Sequence, residues 1–102
     1  MNVGIIILCR YDSTRLPGKI LKKIGAKTVL EYIYDRLSLV TGAQSIIVAT
    51  SNEKNDDKIA EFCSNNDIKC YRGVNENVAN RILTCAQENR FDYFIRINGD
   101  NV

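Results

Sequence analysis

Two apolar runs constrain this chain more than any other feature: Val3-Gly4-Ile5-Ile6-Ile7-Leu8-Cys9 and Ser45-Ile46-Ile47-Val48-Ala49-Thr50. Neither alternates apolar with polar residues, as a strand with one wet face must. A short β-branched run without alternation belongs to a strand covered on both faces, as in a parallel sheet between helical layers. Ile68 to Tyr71 and Asp92 to Ile97 are two further strand candidates. Helical patterns fill the intervals. Val29, Ile33, Leu37 and Val40 fall on one face of a helix starting near Thr28. Ile59, Phe62 and Cys63 mark a second helix, with Asn55, Asp56 and Asp57 as capping residues and dipole partners. Val78, Ile82 and Cys85 mark a third, with Asn75 as its N-cap. Strands alternating with helices predict the doubly wound α/β arrangement.

The chain has 102 residues, enough for one domain, and its 45% hydrophobic and 25% charged content is that of an ordinary globular protein. The longest apolar run is far too short to span a membrane, and no basic segment precedes it as in a secretion signal. A cytoplasmic protein with no membrane partner is expected. Histidine is absent, which removes imidazole acid–base chemistry and Ser-His triads. The four cysteines, Cys9, Cys63, Cys70 and Cys85, form no Cys-x-x-Cys pair and read as reduced core thiols. Because the chain stops just after the fourth predicted strand, it is expected to be the front portion of a longer protein.

Net charge is only +2, but residues 1–27 hold six cations against one acid, a net +5, and the remainder is −3. Nucleic acid is a poor fit for this segment, because only Tyr11 is interleaved with its cations. In doubly wound folds ligands bind outside the carboxyl ends of the strands. The first of those ends leads directly into Arg10-Tyr11-Asp12-Ser13-Thr14-Arg15-Leu16-Pro17-Gly18-Lys19. Guanidinium groups grip phosphate oxygens in pairs, lysine adds a point charge, and each such bond contributes about 1.5–3 kcal/mol net. The composition fits either a solvated basic surface or a polyphosphate grip, and the position at a strand end favours the second. The P-loop spacing is missing.

Residues 7–19, Ile-Leu-Cys-Arg-Tyr-Asp-Ser-Thr-Arg-Leu-Pro-Gly-Lys, resemble the opening motif of the cytidylyltransferases that make CMP-activated sugars. In that family the pattern runs Arg-x-x-Ser-x-Arg-x-x-x-Lys. Four further pieces agree in order: Val29-Leu30-Glu31-Tyr32, Ile47-Val48-Ala49-Thr50, Tyr71-Arg72-Gly73 and Arg96-Ile97-Asn98-Gly99-Asp100. The group includes the acylneuraminate and 3-deoxy-manno-octulosonate enzymes, and the spore-coat polysaccharide biosynthesis type is the nearest match. The resemblance covers all of this chain but only the N-terminal part of a typical member. It implies a Rossmann-like nucleotide-diphospho-sugar transferase fold, cut after its fourth strand, with residues 1–102 as one nucleotide-binding portion.

The same resemblance implies that a sugar hydroxyl, on an acidic or other sugar, attacks the α-phosphorus of CTP and pyrophosphate departs, in surface polysaccharide biosynthesis. Arg10, Ser13, Arg15 and Lys19 match triphosphate-binding positions, with Arg15 and Lys19 as the catalytic cations that neutralise charge on the phosphorus and leaving group. Asp100 matches a magnesium-binding aspartate, a hard-oxygen ligand suited to Mg²⁺. Arg81 matches an arginine near the base, within the frame Gly73, Val78, Arg81; its alternative is a solvated helix-surface arginine. The family's sugar pocket, dimerising segment and second metal-binding aspartate belong to the part beyond residue 102, so the whole protein is expected to be a homodimer and this portion alone inactive. Departures from the family pattern are Tyr11 and Asp12 in place of small residues, Thr28 in place of a common proline, and Asn77 and Asn80 in place of acids. Another reading of the same loop is a non-catalytic nucleotide- or phosphate-binding module.

Overall fold

The computed structural model describes residues 3–11, 18–41, 46–73 and 78–99. In chain order the elements are β1 (Val3–Leu8), a 3-10 turn (Lys19–Leu21), β2 (Lys23–Ile24), β3 (Lys27–Thr28), α1 (Val29–Thr41), β4 (Ile46–Ser51), a second 3-10 turn (Lys54–Asp56), α2 (Asp57–Asn65), β5 (Cys70–Gly73), α3 (Val78–Glu88) and β6 (Tyr93–Asn98). Four strands form one sheet in the order β5-β4-β1-β6, and their three pairings are all parallel. Ile5 pairs with Ile46 on one side of β1 and with Ile95 on the other.

The two apolar runs owe their lack of alternation to the two layers they feed. Ile5, Ile7, Cys9, Ile46 and Val48 pack on one face with Val29, Leu30, Ile59 and Cys63 of α1 and α2. Ile6, Leu8, Ile47 and Ala49 pack on the other with Ile82, Cys85 and Ala86 of α3. The doubly wound α/β expectation therefore holds. Edge strand β6 differs from this pattern: Tyr93 and Ile95 are largely exposed.

Helix α1 starts as a reciprocal capping box. The Thr28 N–H donates to Glu31 Oε1 at 3.0 Å, and the Glu31 N–H donates to Thr28 Oγ1 at 3.1 Å. Thr28 thus supplies a start signal where the family commonly has proline. Ile33 and Leu37 pack against the core on the expected face of α1; the side chain of Val40 and the proposed cap Asn75 lie outside the described residues. Strand β5 begins two residues later than the sequence suggests, because Ile68 fills the core instead of pairing, with its N–H bonded to the Cys63 carbonyl at 2.9 Å. The β2–β3 hairpin escapes sequence reading, since two-residue strands around Gly25 carry no periodicity.

None of the four cysteines is in a disulfide, and Cys9, Cys63 and Cys85 are buried as small core side chains. Burial pushes the Cys85 thiol up to about 11, and the neighbouring Cys70 thiol together with burial raises that of Cys63 further. Among the described residues, no helix is long and apolar enough to cross a membrane.

Candidate functional site

The carboxyl ends of β1, β4 and β5 lie side by side on one rim of the sheet. The ladder runs one residue past β1, where the Cys9 N–H donates to the Ala49 carbonyl at 3.0 Å. The chain then leaves the sheet at Arg10. It returns at Gly18, whose N–H donates to the Tyr11 carbonyl at 2.7 Å. Gly18 takes a φ of +78°, a left-handed conformation that favours glycine. Tyr11 and Gly18 are therefore tied to each other, and Ile20, 3% exposed, plugs the turn after Gly18 into the core. Tyr11 carries the Lys58 ammonium 4.3 Å from its ring centroid, which ties the outgoing end to α2.

Asp56 is the hub of this rim. It has no solvent exposure, and its carboxylate accepts from the Tyr11 N–H at 2.8 Å through Oδ1. Its Oδ2 accepts from the Ser51 hydroxyl and pairs with Arg10 Nε at 2.8 Å. Burial alone pushes this carboxyl up. The Ser51 hydroxyl, the Tyr11 amide and the Arg10 guanidinium outweigh that effect and hold it below the usual carboxylate range. The sequence suggests Asp56 as a capping residue for α2. It does stand at the N-cap, but its side chain makes no capping hydrogen bond and turns to β1 and β4. Arg10 also reaches Glu53 Oε2 at 3.6 Å.

A second arginine fastens the loop that follows β4. Arg72 Nε donates to the Ser51 carbonyl at 2.9 Å, Nη2 donates to the Glu53 carbonyl at 2.9 Å, and Nη1 pairs with Asp57 Oδ1 at 2.7 Å. Sequence reading takes in Arg72 only as part of the Tyr-Arg-Gly stretch. Its work as a staple depends on carbonyls some twenty residues away and has no local signal.

Arg81 stands on α3 with its side chain turned inward, only 4% exposed, so the solvated-surface alternative does not apply. Neither Nε nor Nη1 finds an acceptor among the described residues. Its stem fits because position 73 is glycine: a Cβ there would lie 2.9 Å from Arg81 Cγ and 3.1 Å from the Tyr71 ring. Burial first, and then the Arg10 charge, depress the Arg81 pKa, while Asp56 acts in the opposite sense. Thr50 Oγ1 is likewise buried without a partner. The structure thus brings Arg10, Asp56 and Arg81 within electrostatic reach of one another, with one anion between two cations. Unmet guanidinium N–H groups in so dry a place are suited to an anionic or carbonyl-rich ligand.

Lys19 is half-buried at the start of the first 3-10 turn, directly after the loop closes. Asp12, Ser13, Arg15, Asn77 and Asp100 lie outside the described residues, as does the side chain of Asn80. Gly99, immediately before Asp100, is buried with its N–H bonded to the Leu8 carbonyl at 2.9 Å, beside the end of β1.

A family model described as Cytidylyltransferase matches residues 4–102. The spore coat polysaccharide biosynthesis protein SpsF of Bacillus subtilis is 31% identical over 98% of this chain and 43% of its own length. A solved cytidylyltransferase of Leptospira borgpetersenii superposes with a TM-score of 0.90 at 36% identity, over 98% of this chain and 42% of that one. A CMP:2-keto-3-deoxy-manno-octonic acid synthetase solved in complex with CTP superposes with a TM-score of 0.75 at 27% identity, over 97% of this chain and 40% of that one. The chain spans about two fifths of the length of these relatives. On a motif, a sheet order and a rim that agree with this match along nearly the whole sequence, the chain belongs to the cytidylyltransferase family.

Proposed function

We propose that this chain is the CTP-binding portion of an enzyme that transfers CMP from CTP to a sugar hydroxyl with release of pyrophosphate. The observation that carries the proposal is the buried, unmet guanidinium of Arg81 on the rim where the first loop leaves and rejoins the sheet. Arg10, Ser13, Arg15 and Lys19 supply the triphosphate grip, and Arg15 and Lys19 neutralise charge that builds on the α-phosphorus and on the departing pyrophosphate. Arg81 contacts the nucleotide from α3.

Asp100 would hold Mg²⁺. A carboxylate is the hard oxygen that this ion prefers, and the residue before it, the buried Gly99, is bonded to the end of β1. Bound there, magnesium would screen the phosphate charge. The sugar substrate and a homodimeric assembly belong to the whole protein, in a cytoplasmic setting where CTP is available.

Calorimetric titration of this chain with CTP, UTP, GTP and ATP, each with and without Mg²⁺, tests the reading. Selective binding of CTP, strengthened by Mg²⁺ and weakened in Lys19→Ala and Asp100→Asn, is expected. Binding of no nucleotide, or of all four alike, overturns it.

A further inference from the structure

We propose that Asp56 is a positioning residue for the nucleotide loop: it sets where Arg10 and Tyr11 stand before any ligand arrives. This rests on the nucleotide-binding reading above. Three contacts carry it. The carboxylate fixes the backbone at the point where the loop departs, through the Tyr11 N–H at 2.8 Å. It pins the Arg10 guanidinium through Nε at 2.8 Å. It is itself fixed to the sheet by the Ser51 hydroxyl at the end of β4.

The Tyr11 residue held in this way also accepts the Gly18 N–H through its carbonyl, so the contact with Asp56 is passed on to Gly18. A carboxylate with no solvent exposure is costly to bury, and the fold gains no helix cap from it. Its polar contacts instead go to the loop and to the strand beside it. Charge adds a second reason. Arg10, whose side chain is partly exposed, and the buried Arg81 repel each other, and Asp56 is the anion set against both. Without it, Arg10 has every reason to swing out to water, taking its share of the site with it.

The test compares wild type with Asp56→Asn, a substitution of nearly the same shape, and with Leu30→Ala, which opens a cavity in the core under α1 and removes no polar contact of Asp56. NMR of the nucleotide-free protein reads positioning directly. A sharp, slowly exchanging Arg10 Nε–H signal is expected in wild type and in Leu30→Ala, and its broadening, together with a shifted Tyr11 amide, in Asp56→Asn. CTP titration is expected to show at least a tenfold loss of affinity in Asp56→Asn and none in Leu30→Ala. Unchanged Arg10 and Tyr11 signals overturn the proposal, as does an equal loss of affinity in both variants. If wild type binds no nucleotide, the functional reading fails, and the two NMR signals alone decide the role of Asp56. If Asp56→Asn does not fold, Ser51→Ala takes its place and is expected to loosen the same two signals to a smaller degree; no change there overturns the proposal.

Discussion

Two buried charges stand on the same rim and are treated in opposite ways. Asp56 accepts hydrogen bonds from a hydroxyl and a backbone amide and forms an ion pair with a guanidinium. Arg81, almost as deeply buried, leaves two guanidinium nitrogens without an acceptor among the described residues. Burying an ion costs several kcal/mol unless partners replace the water it loses. A saturated buried charge therefore holds its surroundings in place, whereas an unsaturated one stores a deficit that a ligand can make good. On the proposed reading, Asp56 belongs to the frame of the site, and Arg81 to its grip.

The strongest test of that division is Arg81→Met, which keeps the length of the stem and removes the charge. Affinity for CTP is expected to fall about a hundredfold, equivalent to about 2.7 kcal/mol. The nucleotide-free protein is expected to gain stability, by about 1 kcal/mol, because an uncompensated buried charge has gone. Calorimetry and thermal melts of one preparation read both numbers. A loss of stability would place Arg81 in the frame.

Asp56→Asn should show the reverse sign in stability, a loss of about 2 kcal/mol or roughly 10 °C in melting temperature, since it breaks a buried pair whose partner Arg10 keeps some contact with water. Its pH profile sharpens the point. A carboxyl held below its unfolded value stabilises the fold above the unfolded pKa of about 3.9, and that contribution is lost as pH falls through the lower folded value. The charged groups set against it are Arg10 from the end of β1 and Arg81 from α3. Acid melts of wild type are therefore expected to fall away below about pH 4, and those of Asp56→Asn to be flatter there.

Smaller effects test the borders of the two regions. Lys19→Ala is expected to weaken CTP binding about tenfold with a melting temperature within about 2 °C of wild type, because a half-buried loop lysine contributes little to the core. Gly73→Ala should be milder still, a loss of about threefold in affinity, as the new methyl presses Arg81 Cγ out of its place. If Gly73→Ala matched Arg81→Met, the stem of Arg81 would matter more than its charge.

The sequence made the sheet legible because burial on two faces leaves a signature that few other structures share: Ile5, Ile6 and Ile7 are apolar in succession since each faces a different helical layer from its neighbour. Helices α1 and α2 announced themselves by spacing and by polar residues at their starts. The family was legible in the motif from Arg10 to Lys19, which follows the chain, and the polar contacts of the rim were not, because they depend on partners distant in sequence. Nothing local distinguishes Asp56 from Asp57, yet one is the buried hub and the other an exposed partner of Arg72. Arg81 gave one faint signal, the glycine at position 73, whose missing side chain is the space that the arginine stem occupies.

The placement of β1 between β4 and β6 governs how the chain can assemble during synthesis. The ribosome makes β1 first, yet Ile5 must wait for Ile46, and Val3 for Tyr93, before either edge is covered. Contacts so far apart in the chain form slowly, and an unpaired β-branched segment is the kind that associates with copies of itself in the meantime. The strand that leads into the Arg10–Lys19 segment is thus made before both of its sheet neighbours, and its second edge is covered only once β6 has been synthesised.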